Sequence, residues 1–201
     1  MSIKLLKYIF TSFLAIAALS VISHAAIADD WSTLNKHKQT RLGLYLTAEQ
    51  AYKKTMENMD KTLFVDIRTP SELNYLGAAS VMDAHVPLVF MDTTGWDDNK
   101  HRYKRANNEN FVADIDAALK KKGLTRSDTV ILMCRSGKRS ATAADMLAEN
   151  GYTSVYTVVD GYEGDKVKEG ENKGKRMVNG WKNSNLPWTY SLDKDYMYFT
   201  K

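Results

Sequence analysis

Val130-Ile131-Leu132-Met133-Cys134-Arg135-Ser136-Gly137-Lys138-Arg139-Ser140-Ala141 is the stretch that decides the fold. Four apolar residues in a row make a short run of the kind that forms a fully buried strand. A polar loop containing Gly137 follows, and then a helix is expected from Ser140 to Asn150, closed by Gly151. That order puts Cys134 at the carboxyl end of a strand, facing the start of a helix. Unpaired backbone N–H groups and the helix dipole favour an anion at such a place. Arg135, Lys138 and Arg139 add positive charge. A thiol in this setting is placed to be a thiolate, which is a nucleophile. The bland alternative is a buried cysteine acting as a small hydrophobe. The position of Cys134 at the end of its strand, opening a polar loop, argues against it.

Outward from this stretch, strands and helices alternate. Thr47-Ala48-Glu49-Gln50 is a capping box that starts a helix. Leu63 to Ile67 reads as a buried strand, and Thr69-Pro70-Ser71-Glu72 turns the chain and can open another helix. His85 to Leu88 is a short strand ending near Pro87. Residues 91–110 are polar and turn-rich and read as a long surface loop. Glu109 to Lys122 is an amphipathic helix ended by Gly123, and Val155 to Val159 is a further strand. Short continuous apolar strands alternating with helices indicate an α/β fold with a mostly parallel central sheet flanked by helices on both faces. Functional groups in such sheets gather at the carboxyl ends of the strands. Three polar clusters fall there: Cys134 with its loop, Asp66 with Arg68, and Asp160 with Gly161.

The ends of the chain carry different signals. Residues 1–28 read as a cleaved signal peptide: Lys4 and Lys7, then an apolar stretch, then Ala26-Ile27-Ala28. The expected location is therefore periplasmic, with no stable membrane span after cleavage; an uncleaved N-terminal anchor facing the periplasm is the alternative. Removal of Lys4 and Lys7, with no acid lost, takes the net charge from +4 to +2. That charge does not point to a nucleic-acid partner, and Lys120 to Lys122 suit the end of a helix. Residues 29–46 form an N-terminal segment, 47–163 the core, and 164–201 a polar C-terminal extension whose Trp181 and Trp188 are expected to dock on the core. The single cysteine excludes a dithiol mechanism within the chain. No metal or cofactor is expected, since His101 beside Asp97 and Asp98 lacks ligand spacing. Arg102, Lys104 and Arg105 read as a solvated face, or as an anion funnel if their loop overhangs Cys134.

The stretch from Cys134 to Ala141 resembles the active-site loop of rhodanese-like sulfurtransferases. Val65-Asp66-Ile67-Arg68-Thr69-Pro70-Ser71-Glu72 is similar to the Asp-x-Arg element of that family, and Val159-Asp160-Gly161-Tyr162 to its late Gly-Gly turn, with Asp160 in place of the first glycine. Where the family often has Gly-His-Ile-Pro-Gly-Ala, this chain has Asp83-Ala84-His85-Val86-Pro87-Leu88. The extension with Trp181 and Trp188 resembles that of some exported bacterial members. The resemblance implies a single rhodanese-like domain, in which Cys134 takes sulfur from a donor such as thiosulfate, forms a persulfide and passes sulfur to a thiol, cyanide or protein acceptor. It assigns Arg135, Ser136, Gly137, Lys138, Arg139 and Ser140 to the loop that binds the anion. Arg139 braces that loop or holds donor oxygens, and Asp66, Arg68, Asp160 and Gly161 are supporting residues. Related phosphatases place five residues between Cys and Arg; here four separate Cys134 from Arg139. The smaller loop disfavours phosphatase or arsenate-reductase chemistry. A non-catalytic protein-binding module on the same fold is the other reading.

Overall fold

A computed structural model describes residues 30–200, so the signal-peptide reading lies outside the described residues. The order of elements is β1 (Tyr45–Leu46), α1 (Ala48–Glu57), β2 (Thr62–Asp66), α2 (Pro70–Leu76), β3 (Ala78–Ala79), β4 (Ala84–His85), β5 (Val89–Asp97), β6 (Arg102–Asn107), α3 (Phe111–Lys121), β7 (Thr129–Met133), α4 (Lys138–Glu149), β8 (Val155–Val158) and β9 (Trp188–Thr189). The central sheet runs β1-β8-β7-β2-β4, and every pair in it is parallel.

The two-residue period of a strand sends alternate side chains to opposite faces, and the core divides accordingly. Leu63, Val65, Val130 and Leu132 meet Phe111, Ile115 and Leu119 of α3 and Ala143, Ala144 and Leu147 of α4. Phe64, Ile131 and Met133 face the other way, onto Ala48 and Ala51 of α1 and Leu73 of α2. Both faces are thus covered by helices, which is why β2 and β7 read as unbroken apolar runs. The helix starts are fixed locally. Thr47 with Gln50 and Thr69 with Glu72 both close full capping boxes, the second with Pro70 in the first turn.

Three of the differences from the sequence expectation bear on the site. Residues 91–110 are not a loop: β5 and β6 form an antiparallel two-stranded arm whose register shifts between Asp92 and Trp96. Helix α4 begins at Lys138 rather than Ser140, because Gly137 takes a left-handed conformation (φ 87°) that ends the loop two residues earlier. The strand expected at His85–Leu88 is only Ala84–His85, although Val86 and Leu88 still donate to the carbonyls of Asp66 and Ile67.

The C-terminal extension packs through Trp181 on the α1 and α2 side, and its end reaches α3, where Lys121 Nζ donates to Asp195 O at 2.7 Å. Trp181 is fully buried, with its ring 5.3 Å from Phe64 and 5.9 Å from Tyr52, and its Nε1 donates to Pro187 O at 2.9 Å. Trp188 is half-buried on β9, which pairs with β3. The N-terminal segment is held through Lys38, whose Nζ lies 2.9 Å from Asp165 Oδ1. No helix among the described residues is long and apolar enough to cross a membrane.

Candidate active site

The carboxyl ends of β2, β7 and β8 bring the three polar clusters into one assembly. Cys134 follows β7 directly and is 1 % exposed. It packs against the apolar core on the α3 and α4 side, and it also lines a cavity of about 340 Å³. Its Sγ lies 3.7 Å from Ser140 Oγ, which in turn donates to Gly137 O at 3.0 Å. The burial of Cys134 means that a reagent reaches it only from the cavity.

That cavity is cationic. Arg135, Ser136, Lys138 and Arg139 of the loop line it, and so do Lys100, Arg102 and Arg105 of the β5–β6 arm and Arg176 of the extension. Among the described residues, no acid lines it. The first turn of α4 also carries no acid, and instead holds Lys138 and Arg139. Cations at a helix N-terminus oppose the dipole, so the positive potential accumulates there. Burial, then the charges of Arg139 and Arg102, push Arg105 down to about 10. Burial, then Arg135, also lowers Arg176. Like charges gathered this way suit an anionic guest.

Arg139 braces the loop. Its Nη1 and Nη2 donate to Glu72 Oε2 and Oε1 at 2.8 and 2.6 Å. Glu72 also accepts from Thr69 N at 2.9 Å, so one carboxylate caps α2 and anchors α4. Burial acts to raise the Glu72 carboxyl, but the hydrogen bonds and charge of Arg139 outweigh it and hold the group at about 2. Sequence reasoning assigned Glu72 only to a motif; its carboxylate is the partner that fixes Arg139.

Asp66 and Arg68 sit behind the loop, away from the cavity, as a fully buried pair. Arg68 Nη2 donates to Asp66 Oδ2 at 2.7 Å and to Gly77 O at 2.8 Å. The Arg68 guanidinium stacks on the Tyr162 ring at 3.7 Å. Burial opposes the charge of Arg68, but Asp66 keeps it raised. His85 Nε2 lies 2.8 Å from Arg68 O.

The turn after β8 supports the loop from below. Tyr162 N donates to Cys134 O at 2.8 Å and Glu163 N to Arg135 O at 3.0 Å. Gly161 (φ 67°) makes this approach possible: a Cβ there lands 2.5 Å from Cys134 O and 2.6 Å from Ser136 N. The extension stacks on the same turn, with Trp181 N donating to Gly161 O at 2.9 Å and Gly180 N to Asp160 Oδ2 at 3.0 Å. Asp160 is 3 % exposed and its Oδ1 has no hydrogen-bond partner. Burial raises its carboxyl to about 6.

The residues expected at the site therefore sort by place. Cys134, Arg135, Ser136, Lys138 and Arg139 line the cavity. Gly137, Ser140 and Gly161 shape the loop, while Asp66, Arg68 and Asp160 sit in the layer behind it. Lys100, Arg102, Arg105 and Arg176 join the cavity from outside the loop. Of these, Arg102 and Arg105 belong to the cationic run noted in the sequence, and nothing in the sequence pointed to Arg176. Among the described residues, no cluster of three or more metal-ligating side chains occurs.

Comparison with known proteins identifies the family. The family model for the Rhodanese-like domain covers residues 47–168. The chain belongs to the rhodanese-like domain family. It is 28% identical over 145 residues to protein RC0915 of Rickettsia conorii, covering 72% of this chain and 96% of that protein. Protein RP600 of Rickettsia prowazekii is 29% identical over 146 residues, with the same coverage. Among solved structures, Rv0390 of M. tuberculosis superimposes with a TM-score of 0.55 at 29% identity, covering 73% of this chain and 97% of its own. Rhodanese-like domains are generally sulfurtransferases, and many are non-catalytic.

Proposed function

We propose that this rhodanese-like protein is a sulfurtransferase that carries sulfane sulfur on Cys134. The observation that supports this reading is the coincidence of the buried Cys134 with an acid-free cationic cavity. With a donor such as thiosulfate, the Cys134 thiolate attacks the outer sulfur. A Cys134 S–S bond forms, the S–S bond of the donor breaks, and sulfite leaves with the electron pair. The persulfide, like the thiolate, is anionic, so the loop N–H groups and the cations stabilise both ends of the step. A thiophilic acceptor, such as a thiol, cyanide or a protein cysteine, then removes the outer sulfur and regenerates the thiolate. Arg135 and Lys138 attract the donor, and Arg139, held by Glu72, keeps the loop in shape. We place the protein in the periplasm after removal of residues 1–28.

Intact-mass analysis after treatment with thiosulfate or a polysulfide tests the reading. The expected result is a gain of one sulfur atom in the native chain and none in Cys134→Ser. The same spectrum gives the mature N-terminus, expected at Asp29. Absence of the gain with every donor overturns the assignment. The near-complete burial of Cys134 favours one rival, an anion-binding module without sulfur chemistry. Thiosulfate binding with no mass gain is its signature.

A further inference from the structure

We propose that the cavity over Cys134 holds a second anion subsite, formed by Arg102 and Arg105 of β6 and Arg176 of the extension. It selects sulfur donors with an anionic group at each end of a sulfur chain, the polythionate class. This rests on Cys134 being the sulfur acceptor.

Size is the first argument. A cavity of about 340 Å³ corresponds to about eleven water volumes, at ~30 Å³ per water in the liquid. A single thiosulfate, with five heavy atoms, leaves most of that space empty. Charge placement is the second. The loop cations and the first turn of α4 already serve one anionic group beside Cys134. Arg102, Arg105 and Arg176 reach the cavity from two other parts of the chain and add charge that one small donor does not need.

Unused donors are the third argument. Nε of Arg102 and Nε of Arg135 are buried with no hydrogen-bond partner. The nearest carboxylate to Arg102, Asp97, stands 4.0 Å away and also faces Lys100 at 3.8 Å. Arg176 spends Nη1 on the carbonyl of Gly164, which anchors it beside the cavity. Burial and neighbouring cations lower both Arg105 and Arg176, although Glu72 pulls Arg105 the other way and Glu163 and Asp165 pull Arg176 the other way. Such crowding destabilises the empty protein and is relieved by a guest that brings two negative ends.

Tetrathionate, two sulfonates joined through two sulfane sulfurs, is the simplest probe. The Cys134 thiolate attacks one inner sulfur. The new S–S bond forms as the inner S–S bond breaks, and thiosulfate leaves with the electron pair. Cys134 then carries an S–SO3⁻ group, with charge conserved and no external oxidant.

The test compares rates of Cys134 modification, read by intact mass, for tetrathionate and for a neutral dialkyl trisulfide. It uses the native chain, the double variant Arg102→Gln/Arg105→Gln, and Arg176→Gln. Hydrogen bonds to charged groups contribute about 1.5–3 kcal/mol, so the ratio of tetrathionate to trisulfide rates is expected to fall roughly tenfold or more in each variant. The trisulfide rate serves as an internal control for a folded site. A ratio that stays within twofold of native overturns the subsite but leaves the sulfur-carrier reading standing. Failure of Cys134 to react with either reagent overturns the subsite, and failure with thiosulfate and polysulfide as well overturns the sulfur-carrier reading.

Discussion

Replacing Asp160 by Asn should change how the stability of the protein responds to pH. Asp160 lies at the end of β8, 3 % exposed, with Oδ2 accepting from Gly180 N and Oδ1 unpartnered. Its carboxyl is raised from 3.8 to about 6 by burial. A raised acid favours the folded state when protonated, so this group costs stability above pH 6 and the cost vanishes as pH falls below 3.8. A shift of about two units corresponds to about 3 kcal/mol at pH 7, and linkage returns about half of it by pH 5 and most of it by pH 4. Asparagine keeps an acceptor for Gly180 N and carries no charge at any pH. The difference in unfolding free energy between Asp160→Asn and the native chain should therefore shrink by about 2 kcal/mol between pH 7 and pH 4. Urea unfolding followed by tryptophan fluorescence measures it, since Trp181 sits on the adjoining turn. Taking the difference between the two proteins cancels every other titrating group. A difference that stays flat across that range refutes the claim that Asp160 is ionised at a cost in the folded protein.

Two further substitutions probe the frame of the loop. Gly161→Ala must move the Cys134 and Arg135 backbone, because its Cβ lands within 2.5 to 2.6 Å of them. Overpacking and a positive φ together predict a loss of about 1–3 kcal/mol in urea unfolding, and slower mass gain at Cys134 even where the variant is folded. Glu72→Gln breaks the paired fork with Arg139. A carboxyl lowered from 4.5 to about 2 supports the fold above pH 4.5, and that support is lost as pH falls toward 2. The variant should lose about 3 kcal/mol at pH 7 and show a flatter decline below pH 4.5 than the native chain; an unchanged acid limb rules out this role.

How much of this was legible in the sequence follows from the range of the interactions. The strand, loop and helix around Cys134 were readable because each signal is local: the buried run of β7, the polar loop containing Gly137, and the alanine-rich α4. The start of α4 still moved by two residues, since the left-handed Gly137 lets the helix start at Lys138. The β5–β6 arm was missed for a different reason. Apart from its first residue, its strands bury no side chain fully, so neither has a core-facing apolar face, and the bulge between Asp92 and Trp96 breaks the alternation that marks a strand. Its pairing is carried by cross-strand contacts such as Trp96 against Tyr103, 5.6 Å between ring centres. Such contacts appear only once the register is known.

The extension shows why a reading confined to motifs is incomplete here. The three supporting elements form a stack held by backbone bonds: the Cys134 loop rests on residues 161–163, and that turn rests on residues 180–182. Gly161 participates in both layers, donating nothing to the chemistry yet setting the height of the thiol. Gly180 must sit close to Asp160 for the stack to close, and Trp181 fills the space beneath it against Phe64 and Tyr52. The polar tail was expected to dock because two tryptophans are costly in water. Docking has a second consequence: the same segment that buries Trp181 carries Arg176 to the rim of the cavity. A change in how the extension packs therefore alters both the support beneath Cys134 and the charge above it, which makes the extension part of the site.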